Sequence, residues 1–278
     1  MSDQRTHYVT TTDGVTIGGT VHGQGPPLVF LHGAIGDGDL DWRALVPHLT
    51  DRYTCHLPST RGRGLSGDHP DISPGRTVDD VIAYVDSIGK VTGLVGWGAG
   101  AIMALAVAAR RSDAVDAVAP VEVPVRSVWD EQHLAAIGDT LRHMGELVAE
   151  GRLTDAARAF GGFVMKDEEI AVLDDAGYFE ATGRYVPNLL EGFEQQGSSQ
   201  GPDPTAPDVL GTISAPVLVV HGSDTKPVWT RGAQHVADHV PNARMHEIPG
   251  AGLASPLLHP EALAEALTEF FQPAEQPV

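Results

Sequence analysis

Val91-Thr92-Gly93-Leu94-Val95-Gly96-Trp97-Gly98-Ala99-Gly100 passes from a buried-strand pattern into a glycine-rich turn. Ala101 to Arg111 behind it is an Ala-rich helical run closed by two Arg, whose charge suits a helix C-terminus. Strand, sharp turn and helix in immediate succession predict one unit of a sheet flanked by helices.

The same alternation extends in both directions. Upstream, Tyr8 to Thr12 and Val15 to Val21, separated by Asp13-Gly14, read as an antiparallel hairpin. Leu28 to Leu31 is a short strand entering His32-Gly33, Leu40 to Leu49 a helix, Tyr53 to Leu57 a strand and Val78 to Ile88 a helix. Downstream, Val115 to Val121 is a strand, and the pattern then changes. From Pro124 to Pro207 only helical runs are found, Trp129 to Glu150, Thr154 to Lys166 and Tyr178 to Phe193, closed by a loop from Gln196 to Asp208. Alternation resumes with strand Val217 to His221, helix Trp229 to Val240, strand Arg244 to Ile248 and helix Pro260 to Phe271. The fold class expected is α/β, a mostly parallel sheet flanked by helices, with 1–123 and 208–278 as the core and 124–207 as an inserted all-helical lid. Ligands bind at the carboxyl ends of strands in such sheets, so the lid is expected to cover the site.

Composition narrows the function. The 278 residues carry 18 Lys and Arg against 37 Asp and Glu, a formal charge of −19. Nucleic-acid binding draws affinity from cations that displace phosphate counterions, and an anionic membrane surface is disfavoured by the same sign, so neither partner is expected. The densest basic cluster, Arg61, Arg63 and Arg76, is interleaved with Asp68, Asp71 and Asp79. A single cysteine, Cys55, a polar N-terminus and the lack of any long apolar run point to a reducing, cytoplasmic setting. No HExxH and no cysteine cluster is present, and Gly96-x-Gly98-x-Gly100 lacks the dinucleotide-binding G-x-G-x-x-G spacing, so no metal and no cofactor is expected.

Several ordered features, Phe30-Leu31-His32-Gly33-Ala34, Arg61-Gly62-Arg63-Gly64-Leu65-Ser66, the small-residue turn at 96–100, the helical insert and Ala215-Pro216-Val217-Leu218-Val219-Val220-His221-Gly222, together resemble the α/β-hydrolase superfamily. The resemblance implies a nucleophile at the centre of G-x-S-x-G, a His base after the last strand and an acid to orient it. Gly98 occupies the first position and Leu253 the second. Asp224 sits one residue before the usual place of the acid, which Thr225 takes, and Glu122 occupies the place that part of the superfamily uses. By the same resemblance the oxyanion hole, formed by backbone N–H groups, maps onto Ala34 and Ala99.

A site that stabilises an oxyanion and has no nucleophile suits proton removal beside a carbonyl. The loss of both Ser and His resembles the bottromycin epimerase type, which implies epimerisation at an α-carbon of a peptide-derived natural product, with the substrate's own carboxylate as a base. Glu122, Asp224, His32 and His221 are the candidate proton carriers. Gly33, Trp97, Trp42 and Trp129 join His32 and His221 as candidate substrate-binding residues. Two other readings stand beside this one: a ligand-binding pseudo-hydrolase, and a hydrolase with Ser223, Thr225 or Ser255 as an unconventional nucleophile.

Overall fold

The computed structural model describes residues 5–198 and 202–272. Among these, eight strands form one sheet in the order β1-β2-β4-β3-β5-β6-β7-β8. The strands are β1 Arg5–Thr10, β2 Thr16–His22, β3 Pro27–Leu31, β4 Thr54–Pro58, β5 Val91–Trp97, β6 Val115–Val121, β7 Val217–Gly222 and β8 Ala243–Ile248. β1 and β2 form the antiparallel hairpin, β2 pairs antiparallel with β4, and β3 through β8 run parallel. Parallel strands with helices on both faces bury both of their sides, which is why Leu28 to Leu31 and Val217 to Val220 are continuously apolar. Alternate residues feed two cores: Leu28, Phe30, Val95 and Val220 face one, Val29, Leu31, Leu94 and Val219 the other. Cys55 is ordinary packing in the first.

Three core helices, α1 Gly38–Trp42, α2 Pro74–Ile88 and α3 Ala99–Arg110, precede the insert. The single helix expected over Leu40 to Leu49 is instead α1 followed by a 3₁₀ turn, Val46–His48. Pro47 lies in the first turn of the 3₁₀ segment and has no N–H to donate to the Arg43 carbonyl, so an uninterrupted α-helical ladder cannot run through it. Between β6 and β7 lie α4 Glu131–Ala149, α5 Leu153–Val164, α6 Asp167–Asp175, α7 Tyr178–Gly183, α8 Val186–Ser198 and α9 Pro207–Leu210. The run expected over Tyr178 to Phe193 is thus two helices, with Pro187 in the first turn of the second, where a missing N–H costs least. The loop expected over Gln196 to Asp208 falls partly on 199–201, outside the described residues; residues 202–206 are loop and turn as expected, whereas 196–198 close α8 and 207–208 open α9. α10 Pro227–His239, α11 Ser255–Leu258 and α12 Pro260–Phe271 complete the chain.

Polar ties dock the insert. Lys226 Nζ donates to Gly162 O at 2.8 Å and Phe163 O at 2.9 Å, and Trp229 Nε1 donates to Val164 O at 3.0 Å. These donors satisfy orphan carbonyls at the α5 C-terminus and complement its dipole. On the core side the Arg61 guanidinium has no exposure and pairs with Asp80 at 2.6 Å and Asp13 at 3.1 Å, while Arg76 pairs with Asp13, Asp71 and Asp79. The thin basic cluster is consumed internally. Among the described residues no helix is long and apolar enough to cross a membrane.

Candidate functional site

The β5–α3 turn is built from three glycines with different jobs. A Cβ on Gly96 would overlap the Gly100 carbonyl and lie 2.7 Å from Ala101 N, and one on Gly100 would lie 2.6 Å from Leu31 C and 2.7 Å from His32 O. Both therefore permit close backbone approach. Gly98 differs: its φ is 55° and ψ −112°, and a Cβ there would meet nothing within 4 Å. The turn is a strained elbow whose tip faces open space, and the residue at its tip has no side chain.

β3 and β5 are neighbours in parallel, with Leu31 opposite Gly96, so the loop after β3 and the elbow leave the sheet at the same edge. The groups around Ala34 are then fixed one by one. Thr60 N–H donates to His32 Nε2 at 3.0 Å, which leaves the proton on Nδ1, and Nδ1 donates to Gly33 O at 2.8 Å. Burial, with help from Arg63, holds His32 down at about 4, so the ring is neutral. Gly33 N–H donates to Asp41 Oδ2 at 2.7 Å, and the Ala34 carbonyl accepts from Arg63 Nη1 at 2.6 Å. Among the described residues the N–H groups of Ala34 and Ala99 have no partner. Ala34, Gly98 and Ala99 are each part-exposed.

Glu122 follows β6 and is wholly buried, with φ 52°, the one positive φ on a non-glycine among the described residues. Oε1 accepts the Gly222 N–H at 2.6 Å and Oε2 lies 2.8 Å from Thr225 Oγ1. Burial pushes its carboxyl up to about 8, against the pull of those two hydrogen bonds and with a further push from Glu169. Its folded value is above the ordinary 4.5, so its stabilising contribution is complete below pH 4.5 and is lost as pH rises through 8. Urea denaturation should accordingly show stability falling between pH 7 and 8, and Glu122→Gln, which keeps both hydrogen bonds, should flatten that slope. His32 and His56, near 4, have finished titrating in this interval, whereas Asp41, near 7, is still ionising and adds to the slope, so the difference between the wild type and Glu122→Gln, rather than the slope itself, reports Glu122.

The loop after β8 carries Leu253, buried in the apolar core, with its carbonyl held by Trp97 Nε1 at 2.9 Å. The Trp97 ring also lies against Gly33, where a Cβ would be 3.2 Å from it. Trp97 thus links the loop after β3 to the loop after β8. Glu169, from the insert, reaches the same loop: Oε1 accepts Ala254 N–H at 2.7 Å and Oε2 accepts Lys166 N–H at 3.1 Å.

Other expected residues fall elsewhere. Asp224 is exposed on the surface and is not part of this constellation. Trp42 has no exposure and packs edge-to-face on Phe30, so it belongs to the core rather than to a pocket wall. His32 spends both nitrogens on backbone partners and positions the loop instead of carrying protons. His221 is buried with Nδ1 3.2 Å from Gly222 O. Trp129 is half-buried among His133, Phe163 and Trp229. Of the candidate nucleophiles, Ser223 Oγ accepts from Gly250 N, Thr225 is engaged with Glu122, and Ser255 Oγ is sealed without a partner. None stands at the elbow. Residues that sequence reading missed are Asp37, Asp41, Tyr178, Tyr185, Asn188 and Glu169, together with the role of Arg63, whose Arg61-Gly62-Arg63-Gly64 setting was its one local signal. Among the described residues no group of three or more His, Cys, Asp or Glu is placed to hold a metal ion.

The chain is 28% identical over 265 residues to a pimeloyl-(acyl-carrier protein) methyl ester esterase of Xanthomonas campestris pv. campestris, covering 90% of this chain and 96% of that protein. It is 26% identical over 258 residues to the 2-hydroxy-6-oxo-6-(2'-aminophenyl)hexa-2,4-dienoic acid hydrolase of Metapseudomonas resinovorans, covering 89% and 84%. The crystal structure of an alpha/beta hydrolase from Sphaerobacter thermophilus has a TM-score of 0.74 at 26% identity, covering 96% of this chain and all of that one. A profile described as the Alpha/beta hydrolase family matches residues 28–266. With the strand order, the elbow and the span of that match in agreement, the chain belongs to the alpha/beta hydrolase family.

Proposed function

We propose that this protein is a non-hydrolytic member of its family, an isomerase that labilises a proton beside a carbonyl, and more narrowly an epimerase at an α-carbon of a peptide-derived natural product. The observation that carries the reading is Gly98: an elbow tip in open space with no nucleophile, next to two unpartnered N–H donors at Ala34 and Ala99. Loss of the nucleophile or the base from a Ser-His-Asp site costs roughly 10⁶-fold in turnover, which removes the acyl-enzyme route. Oxyanion donors survive that loss, since they are backbone groups, and each is worth about 3–4 kcal/mol where charge develops on oxygen. An enolate formed by removing an α-proton places its charge on that oxygen. The substrate is a small molecule or peptide held under the helical insert, and its own carboxylate serves as the base; Glu122, neutral at pH 7 and enclosed, is poorly placed to be one. The peptide class rests on the resemblance carried by Gly98 and Leu253.

Incubation of candidate peptides with the protein in deuterated water, followed by mass spectrometry, checks this. Incorporation of one deuterium at an α-carbon is the expected result. Binding with no exchange at any α-carbon would overturn the epimerase reading and favour a pseudo-hydrolase that only holds its ligand.

A further inference from the structure

We propose that Asp41 and Tyr178 are positioning residues for the Ala34 amide, so that docking of the helical insert sets the oxyanion donor. The proposal rests on reading Ala34 as that donor. Asp41 lies on α1 with no exposure, and its two oxygens face different parts of the molecule: Oδ2 accepts the Gly33 N–H at 2.7 Å, and Oδ1 accepts the Tyr178 hydroxyl at 2.8 Å. Tyr178 opens α7, inside the insert. Gly33 and Ala34 share a peptide bond, so a shift of Asp41 is felt one peptide from the donor.

Two further straps run between the same segments. Arg63 donates from Nη1 to Ala34 O and Gly36 O and from Nε to Asn188 Oδ1 at 2.9 Å on α8. Asp37 caps α1 through Leu40 N–H at 2.8 Å and accepts the Tyr185 hydroxyl at 2.6 Å. A Cβ on Gly36 would overlap the Asp41 carboxylate, so the loop is shaped around this group. A buried carboxylate is costly unless its partners repay it, and an apolar side chain would fill the volume at less cost. What an apolar residue cannot do is hold the Gly33 N–H and the Tyr178 hydroxyl at once.

Burial pushes the Asp41 carboxyl up to about 7, with the Tyr178 and Gly33 hydrogen bonds pulling it down. The charged or titratable groups that face it are Tyr178 from α7, Arg63 from the 59–68 loop and Asp37 from its own loop. The coupling is therefore readable by amide NMR on the ¹⁵N-labelled full chain between pH 5 and 9. In the wild type the Gly33 amide proton should move downfield as Asp41 ionises, since a carboxylate is the stronger acceptor. Tyr178→Phe should move the midpoint of that titration upward, because the hydroxyl that favours the charged form is gone, and should shift the Ala34 amide. Asp41→Asn, which keeps the volume, should leave the Gly33 amide insensitive to pH. If Tyr178→Phe changes only resonances of the insert and leaves Gly33 and Ala34 where they were, the proposal is overturned. Should Asp41→Asn fail to fold, Tyr178→Phe decides alone. The measurement needs no turnover, so absence of α-proton exchange would count against the epimerase reading without touching this one.

Discussion

The double variant Gly98→Ser, Leu253→His is expected to hydrolyse p-nitrophenyl acetate at least ~100-fold faster than the unaltered chain, with each single variant close to background. The geometry explains why the pair is needed. A Ser at 98 enters open space, and its backbone at φ 55° and ψ −112° costs about 1–3 kcal/mol, which Gly98 escapes for want of a Cβ. On the proposed reading its oxygen shares a site with the Ala34 and Ala99 N–H groups, but with no base the hydroxyl stays protonated and weak. Leu253→His places an imidazole on a loop whose backbone is already held by Trp97 at the 253 carbonyl and by Glu169 at Ala254. A full Ser-His-Asp unit is worth roughly 10⁶-fold, and a grafted pair without an optimised acid recovers only part of it. Labelling of Ser at 98 by a fluorophosphonate, read by intact mass, is the companion measurement. A folded double variant no faster than Gly98→Ser would show that position 253 does not face the elbow.

Gly100→Ala is expected to be the most damaging single-methyl change in the site, lowering stability by more than ~4 kcal/mol and Tm by roughly 10 °C. Its Cβ would overlap the Leu31 carbonyl, a backbone atom inside the central sheet that cannot swing aside as a side chain does. The only relief is to pull α3 away from β3, which opens the packing of Leu105, Ala104 and Ala101 against the sheet. Gly98→Ala, two residues earlier, adds the same methyl group and should cost only about 1–3 kcal/mol, because the space is empty and the penalty is the backbone conformation alone. Thermal denaturation of the two variants side by side separates close approach from backbone strain. Equal losses would mean that the elbow is not packed against the end of β3.

Much of this was legible locally. A strand such as Val91 to Trp97 is apolar because both faces are buried, and the helix behind it is Ala-rich because it lies against the sheet; both causes leave marks within a few residues. The elbow was legible for the same reason, since its glycines answer to atoms of their own turn and of the adjacent strand. Helix breaks at Pro47 and Pro187 were also written locally, although they went unread. Asp224 misled because strand-end position predicts proximity to the site but not the direction of a side chain, and the structure leaves it in solvent. Trp42 misled because an aromatic residue near a binding loop reads the same whether it lines a pocket or fills the core.

The sequence by itself determined that this is an α/β sheet with a helical insert, that the turn after β5 bears Gly98, and that Leu253 follows β8. Tertiary structure alone decided which polar groups meet. Asp41 and Tyr178 are 137 positions apart, Arg63 and Asn188 are 125 apart, and Glu169 reaches Ala254 across 85. No periodicity links such pairs, because hydrogen bonds between them are set by how the insert docks and not by the pitch of any helix or strand. The physical reason is one of range: backbone geometry repeats over a few residues and is written there, whereas a buried charge is tolerable only where distant segments bring it partners.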